Sequence, residues 1–243
     1  MFDVLRWVGE QVPRVFEDDV EAISWYRLSA DQGFAAARYN LGAMYDHGDG
    51  VREDDVEAVR WYRLAADQGF PAAQYNLGVM YHEGSGIGQN LAEAARWYLL
   101  AAEQGYALAQ FALGMMHSRG DGVRRSEAEA IRWYALAAEQ GDALAQTNLG
   151  VILAQRWYRT QREALQDPVA RAILGPDDLT LAFKWLTLAA GQDNATARSN
   201  LAVLEEWLTP EQMVEARRLA QEWLDRRAQL PEPRAETIRE PRR

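Results

Sequence analysis

The chain has 243 residues, no cysteine, 36 acidic against 26 basic side chains and a net charge of −10. This composition excludes a disulfide framework, a thiol nucleophile and a cysteine zinc site, and it argues against generic binding to phosphate backbones or anionic membranes. No uncharged run reaches the roughly 18 residues of a membrane-spanning helix, and Asp3, Arg6 and Glu10 interrupt the start where a secretory signal would be apolar. The expected compartment is the cytoplasm.

A period dominates everything else. Trp25, Trp61, Trp97 and Trp133 are 36 residues apart, as are Leu41-Gly42, Leu77-Gly78, Leu113-Gly114 and Leu149-Gly150. Trp185 and Leu201-Ala202 follow 52 residues later, so both markers place one 16-residue insertion between Gly150 and Trp185. A repeat of this length predicts stacked supersecondary units that cannot bury their apolar faces alone.

Each unit reads as two helices, and no stretch shows the alternation of a strand. Residues 2–12 fill the slot of a first helix in a degenerate opening unit, and the segment after Val15 mirrors the one after Val51. Asp18, Asp54, Asn90, Ser126 and Asp178, each seven residues before a repeat tryptophan, read as caps of the second helices. Glu21, Glu57, Glu93 and Glu129, three residues on, complete the pattern of a capping box. Gly33, Gly69, Gly105 and Gly141 suit left-handed helix ends. Ala58, Tyr62, Ala65 and Ala66 form one packing stripe, and Ala37, Leu41, Met44 and Tyr45 another. Gly42, Gly78, Gly114 and Gly150 inside first helices predict close approach of a neighbour, because glycine there costs about 1 kcal/mol against alanine. The links Gly48-Asp49-Gly50, Gly84-Ser85-Gly86 and Gly120-Asp121-Gly122 read as tight turns. Val151–Gln166 extends the first helix of the fifth unit until Asp167-Pro168, and Thr209-Pro210-Glu211-Gln212 opens a last helix to about Leu230. The reading is one domain over 1–230, with units at about 1–34, 35–70, 71–106, 107–142, 143–194 with its insertion near 154–176, and a cap at 195–230. Residues 231–243 read as a disordered tail.

Residues 37–69, with Ala37, Leu41, Gly42, Met44, Tyr45, Gly48, Gly50, Val51, Ala58, Trp61, Tyr62, Ala65, Ala66, Gln68 and Gly69, resemble the Sel-one-like repeat family, short relatives of tetratricopeptide repeats. The resemblance covers about 15–225, and the ending from Trp185 to Trp223 is similar to the last unit of bacterial members. It implies an all-α fold, a right-handed α/α solenoid of antiparallel hairpins, and a scaffold or adaptor role without catalysis or cofactor. Two departures stand out: His117 replaces the tyrosine of Tyr45 and Tyr81, and Leu186 replaces that of Tyr62.

The first helices of such a stack line a concave wall. Three columns fall there: Tyr39, Tyr75, Phe111 and Thr147; Asn40, Asn76, Ala112, Asn148 and Asn200; and Ala43, Val79, Met115, Val151 and Val203. Asparagine can bridge the amides of an extended peptide and aromatic rings supply flat apolar area, which suits a peptide groove. Equally, the asparagines can bridge neighbouring hairpins and the rings can pack between units. The insertion is the second candidate, a basic arm with Arg156, Trp157, Tyr158, Arg159, Arg162 and Arg171; it reads either as a docking arm or dimer contact, or as local packing of Trp157.

Other chemistry is not supported. His47, His82 and His117 are 35 apart against a period of 36, so they cannot form one ladder, and no metal site is expected. The only lysine is Lys184 with Leu181 three residues before it, which excludes a Ser-x-x-Lys pair. Gly84-Ser85-Gly86-Ile87-Gly88 follows no strand and reads as a turn rather than a dinucleotide loop. The expected function is a non-catalytic scaffold for a protein or peptide partner, monomeric or weakly dimeric. The alternatives are a hydrolase-type enzyme with groove carboxylates such as Asp46, and a self-assembling structural protein.

Overall fold

The structure, a computed structural model, describes residues 19–164 and 177–229, and every regular element among them is helical. They fall into two compact units, one ending at Arg125 and the other beginning at Ser126. The first holds α1 (Asp19–Asp31), α2 (Ala35–His47), α3 (Asp55–Ala66), α4 (Pro71–Glu83), α5 (Leu91–Glu103) and α6 (Ala107–Arg119). The second holds α7 (Glu127–Glu139), α8 (Ala143–Ala164), α9 (Asp177–Gly191), α10 (Ala195–Glu205) and α11 (Pro210–Ala228). Within the first unit, short connections make consecutive helices antiparallel hairpins; in the second, α7 packs on α8, which packs on α9, as do α10 and α11. The opening-unit residues before Asp19, the stretch 165–176 with Arg171, and the tail lie outside the described residues.

The predicted faces are the buried ones. Ala58, Tyr62 and Ala65 are fully enclosed, and Ala37 and Leu41 are equally so on the preceding helix. Gly42 and Gly78 stand where a tyrosine ring of the next helix presses in, a Cβ at either lying 2.7 Å from the Tyr62 or Tyr98 ring, and at Gly150 the neighbour is Leu186, at 2.6 Å. Close packing, not backbone freedom, therefore selects glycine there. At the helix ends the reason is conformational. Gly69 and Gly105 sit at φ 84° and 87°, and the same register in the fifth repeat is filled by Asp193 at φ 63°. Aspartate is one of the few side chains that tolerates this left-handed region.

The capping boxes are only half formed. Asp54 accepts from the Val56 and Glu57 N–H groups, Asn90 from Glu93 and Ser126 from Glu129. The glutamates do not reach back. Glu57, Glu93 and Glu129 instead face Arg60, Arg96 and Arg132 one turn on, at 3.2, 3.7 and 3.2 Å. The cap N–H groups already have partners, since Asp54 donates to the Tyr45 carbonyl at 2.9 Å and Asn90 to that of Tyr81 at 2.8 Å. The ends of α2 and α4 thus take the bonds that the two boxes would have made. Only Thr209 and Gln212 close a full box among the described residues. Asp178 is no cap, because α9 begins one residue earlier and the carboxylate binds Arg156.

One ladder was not anticipated. Gln74, Gln110 and Gln146 are buried at the same register, and each donates to the last turn of the preceding helix, at Ala66, Ala102 and Ala138. Gln104 then donates to the Gln74 oxygen at 2.8 Å and Gln192 to that of Gln146 at 3.0 Å. These amides satisfy helix-end carbonyls that burial would otherwise leave bare.

Candidate functional site

In the first unit, the predicted columns meet the tyrosines of the second helices. The Tyr62 hydroxyl, carried by α3, donates to Asp46 of α2 at 3.0 Å, and the Asn76 amide of α4 reaches the same hydroxyl. Asn40 reaches Tyr26 in the same way. The asparagines thus bridge successive helices, each fourteen residues after its tyrosine. Asp46, the groove carboxylate of the enzyme alternative, belongs to this bridge; burial raises its pKa, opposed by the Tyr62 hydroxyl and His47.

The aromatic column packs as well. Tyr39 meets Tyr62 and Phe70 with ring centroids at 5.8 and 5.2 Å, and Tyr75 meets Tyr98 and Tyr106 at 5.6 and 5.5 Å. Phe34, Phe70 and Tyr106 recur every 36 residues at the residue before each first helix, a column that the sequence analysis left aside. Tyr39, Asn40, Tyr75, Asn76, Phe111 and Met115 all keep part of their surface. The departure at His117 has a partner. Arg27 donates to the Tyr45 hydroxyl at 2.6 Å and Arg63 to that of Tyr81 at 2.5 Å, whereas the third register pairs Leu99 with His117, so donor and acceptor are lost together.

The second unit holds a different feature. Helix α8 runs 22 residues, against 13 for α2, α4 and α6, so the predicted extension is present up to Ala164. Arg156 forks onto Asp178 at the start of α9, with Nε at 2.7 Å, and Arg159 binds Glu127 at the start of α7 at 2.8 Å. Arg162 is exposed. Trp157 and Tyr158 both stack on Trp207, at 5.9 and 5.7 Å with the planes 23° and 24° apart. The arm is therefore fixed by two ion pairs and a ring stack. Beside it opens a cleft of about 410 Å³ lined by Val151, Ala154, Gln155, Tyr158, Leu186, Asn200, Val203, Leu204 and Trp207.

This cleft joins what the sequence analysis kept apart: Asn200 from the asparagine column, Val151 and Val203 from the third column, and Tyr158 from the arm. Asn148 lies half-buried one turn before Val151 on α8. Trp207, which closes the cleft, was missed, because it stands outside the 36-residue register of the repeat tryptophans. Tyr158, Val203 and Trp207 are 54%, 48% and 39% exposed. Three large apolar groups therefore stand open to solvent in one concavity. Among the described residues no cluster of three acids or histidines could hold a metal ion, and no helix is long and apolar enough to cross a membrane.

Helix hairpins with a 36-residue register and an open apolar cleft define an α/α repeat of the solenoid class. The chain belongs to the Sel1 repeat family: the family model matches residues 5–34, 35–70, 71–106, 107–142 and 174–194. It is similar to the crystal structure of a Sel1 repeat protein from Oxalobacter formigenes, with 30% identity and a TM-score of 0.65 over 95% of this chain and 84% of that one. It is also similar to c5321, a protective antigen present in uropathogenic Escherichia coli strains and displaying an SLR fold, with 31% identity and a TM-score of 0.59. That match covers 93% of this chain but 52% of the antigen. Among curated proteins no sequence matches.

Proposed function

We propose that this chain is a non-catalytic interaction scaffold that holds a segment of a partner protein, with the cleft of the second unit as its principal contact. The observation that carries the reading is the cleft itself. It exposes Val203, Tyr158 and Trp207 in a concavity whose lining holds no charged side chain. Burial of apolar area at about 25 cal/mol per Å² is the driving force such a surface offers. Membership of a repeat family that works as scaffolds supports the same reading. The inner columns of the first unit, Tyr39, Asn40, Tyr75, Asn76, Phe111 and Met115, together with Asn148 in the second, are proposed as further contact positions.

The test is photocrosslinking in the native cell. A crosslinking side chain at Val203, inside the cleft, is expected to yield one discrete protein adduct. The same group at Val56, 64% exposed on α3, is expected to yield none of that product. Equal adducts from both positions, or none from Val203, would contradict the proposal.

A further inference from the structure

The inner face of the first unit is bonded to itself at two registers and not at the third. Tyr26 and Tyr62 each have an asparagine fourteen residues later, Asn40 and Asn76, that reaches the hydroxyl. Tyr62 also donates to Asp46 at 3.0 Å, so its hydroxyl both gives and accepts a hydrogen bond. Tyr98 repeats the ring and loses both partners. Ala112 stands in the register of Asn76, and His82 in that of Asp46. The Tyr98 ring packs against Tyr75 and the residue is 4% exposed, yet its hydroxyl makes no hydrogen bond among the described residues. Among those residues, the fully buried side-chain polar atoms without a partner are Ser29 Oγ and the indole nitrogens of Trp61 and Trp97. The Tyr98 oxygen is not one of them, so it meets solvent. Burial, Tyr75 and Glu83 raise its pKa, and it stays a neutral phenol that can both give and accept.

We propose that the site at Tyr98 and Ala112 receives the carboxamide of an asparagine or glutamine carried by a partner protein, which supplies in trans the group that the repeat lacks here. The inference rests on the scaffold reading and names the side chain that the first unit recognises. Size is the first argument. Alanine falls short of asparagine by one CONH2 group, and that group is what meets the hydroxyl at Tyr26 and Tyr62. Bonding is the second. A carboxamide brings a donor and an acceptor on one carbon, which matches a hydroxyl with both roles unfilled. A guanidinium or ammonium brings donors only and leaves the Tyr98 proton unmatched; a carboxylate brings acceptors only. Charge is the third. Glu83 acts on Tyr98 and the chain carries −10, so an anionic anchor would be repelled. Met115, one turn from Ala112 on α6, keeps part of its surface and offers apolar area to the stem of the incoming side chain.

The test uses the full chain, in which the absence of cysteine makes an introduced thiol unique. Met115→Cys places that thiol one turn from Ala112. The variant is equilibrated in a reducing buffer with the disulfides of 3-mercaptopropionamide, 3-mercaptopropionate, 2-mercaptoethylguanidine and propanethiol, and mass spectrometry reads the captured fractions. Tethering raises the effective concentration at the site enough to make one weak contact readable. The carboxamide is expected to be held about three- to tenfold more than each of the other three. The preference should vanish on adding Tyr98→Phe, which keeps the ring, or Ala112→Asn, which restores the missing group in cis. In the native cell, a crosslinking side chain at Val79, one turn from Asn76 on α4, is expected to yield a protein adduct that falls at least about threefold in both variants. Should Ala112→Asn lower the melt, Tyr98→Phe, which adds no atom, decides alone. Equal capture of the four thiols, or a preference that survives Tyr98→Phe, would overturn the inference. Strongest capture of the guanidine would overturn it in favour of a cationic partner group. An adduct from Val203 with none from Val79, or one from Val79 that both variants leave unchanged, would keep the scaffold reading and overturn the carboxamide site.

Discussion

Tyr62→Ala is expected to destabilise the first unit by about 3–5 kcal/mol, among the largest losses for any single truncation there. The ring is fully buried and its hydroxyl donates to Asp46 at 3.0 Å. The cavity cannot collapse, because the facing residue is Gly42, which has no side chain to move into it, and the helix backbone behind it is rigid. Asp46 would also lose the donor that opposes its desolvation. Tyr62→Phe separates the two effects. It keeps the packing, removes only the hydroxyl, and should cost about 1 kcal/mol. Urea unfolding followed by circular dichroism measures both, and a loss under about 1.5 kcal/mol for the alanine variant would mean that the hairpins relax into the space.

Trp223→Ala is the corresponding expectation for the second unit, again about 3–5 kcal/mol. Trp223 is 5% exposed on α11, meets Trp185 edge-on at 6.3 Å, and donates its indole N–H to Glu139 at 2.7 Å. The Arg227 guanidinium lies over the same ring at 5.2 Å. One side chain therefore ties the closing helix to both α7 and α9. Trp223→Phe keeps apolar volume but not the N–H, and since Glu139 is exposed and can return to water, its cost should be about 2 kcal/mol smaller. Calorimetric melts of both variants provide the check, and equal losses would assign the whole effect to the hydrogen bond.

Much of the architecture was legible in the residues, for a physical reason. A repeat imposes the same packing demand every 36 residues, so side chains that meet it recur in register and stand out from the rest. Helix pairs, glycine close approaches and the extension of α8 follow from that signal. The glutamine ladder carried the same periodicity and was passed over because a glutamine reads as a surface residue until its carbonyl partners are seen. The capping boxes failed for the opposite reason: the local pattern was right, but the Tyr45 and Tyr81 carbonyls, distant in local pattern, took the N–H groups first. The candidate site was legible only in pieces. Asn200, Val203 and Tyr158 were picked out, and Leu186 was noted as a departure. Their convergence was hidden, because it depends on how α8 packs against α9 and α10 and on Trp207, which no period marks.

The central proposal is that the apolar cleft beside α8 holds a segment of another protein. Capture of partners from native cells by the wild-type chain and by Trp207→Ala, both verified by melting, tests it most directly. The partner crosslinked from Val203 should disappear from the Trp207→Ala sample while the melt is held, Trp207 being 39% exposed. Equal recovery of that partner by both chains would contradict the account.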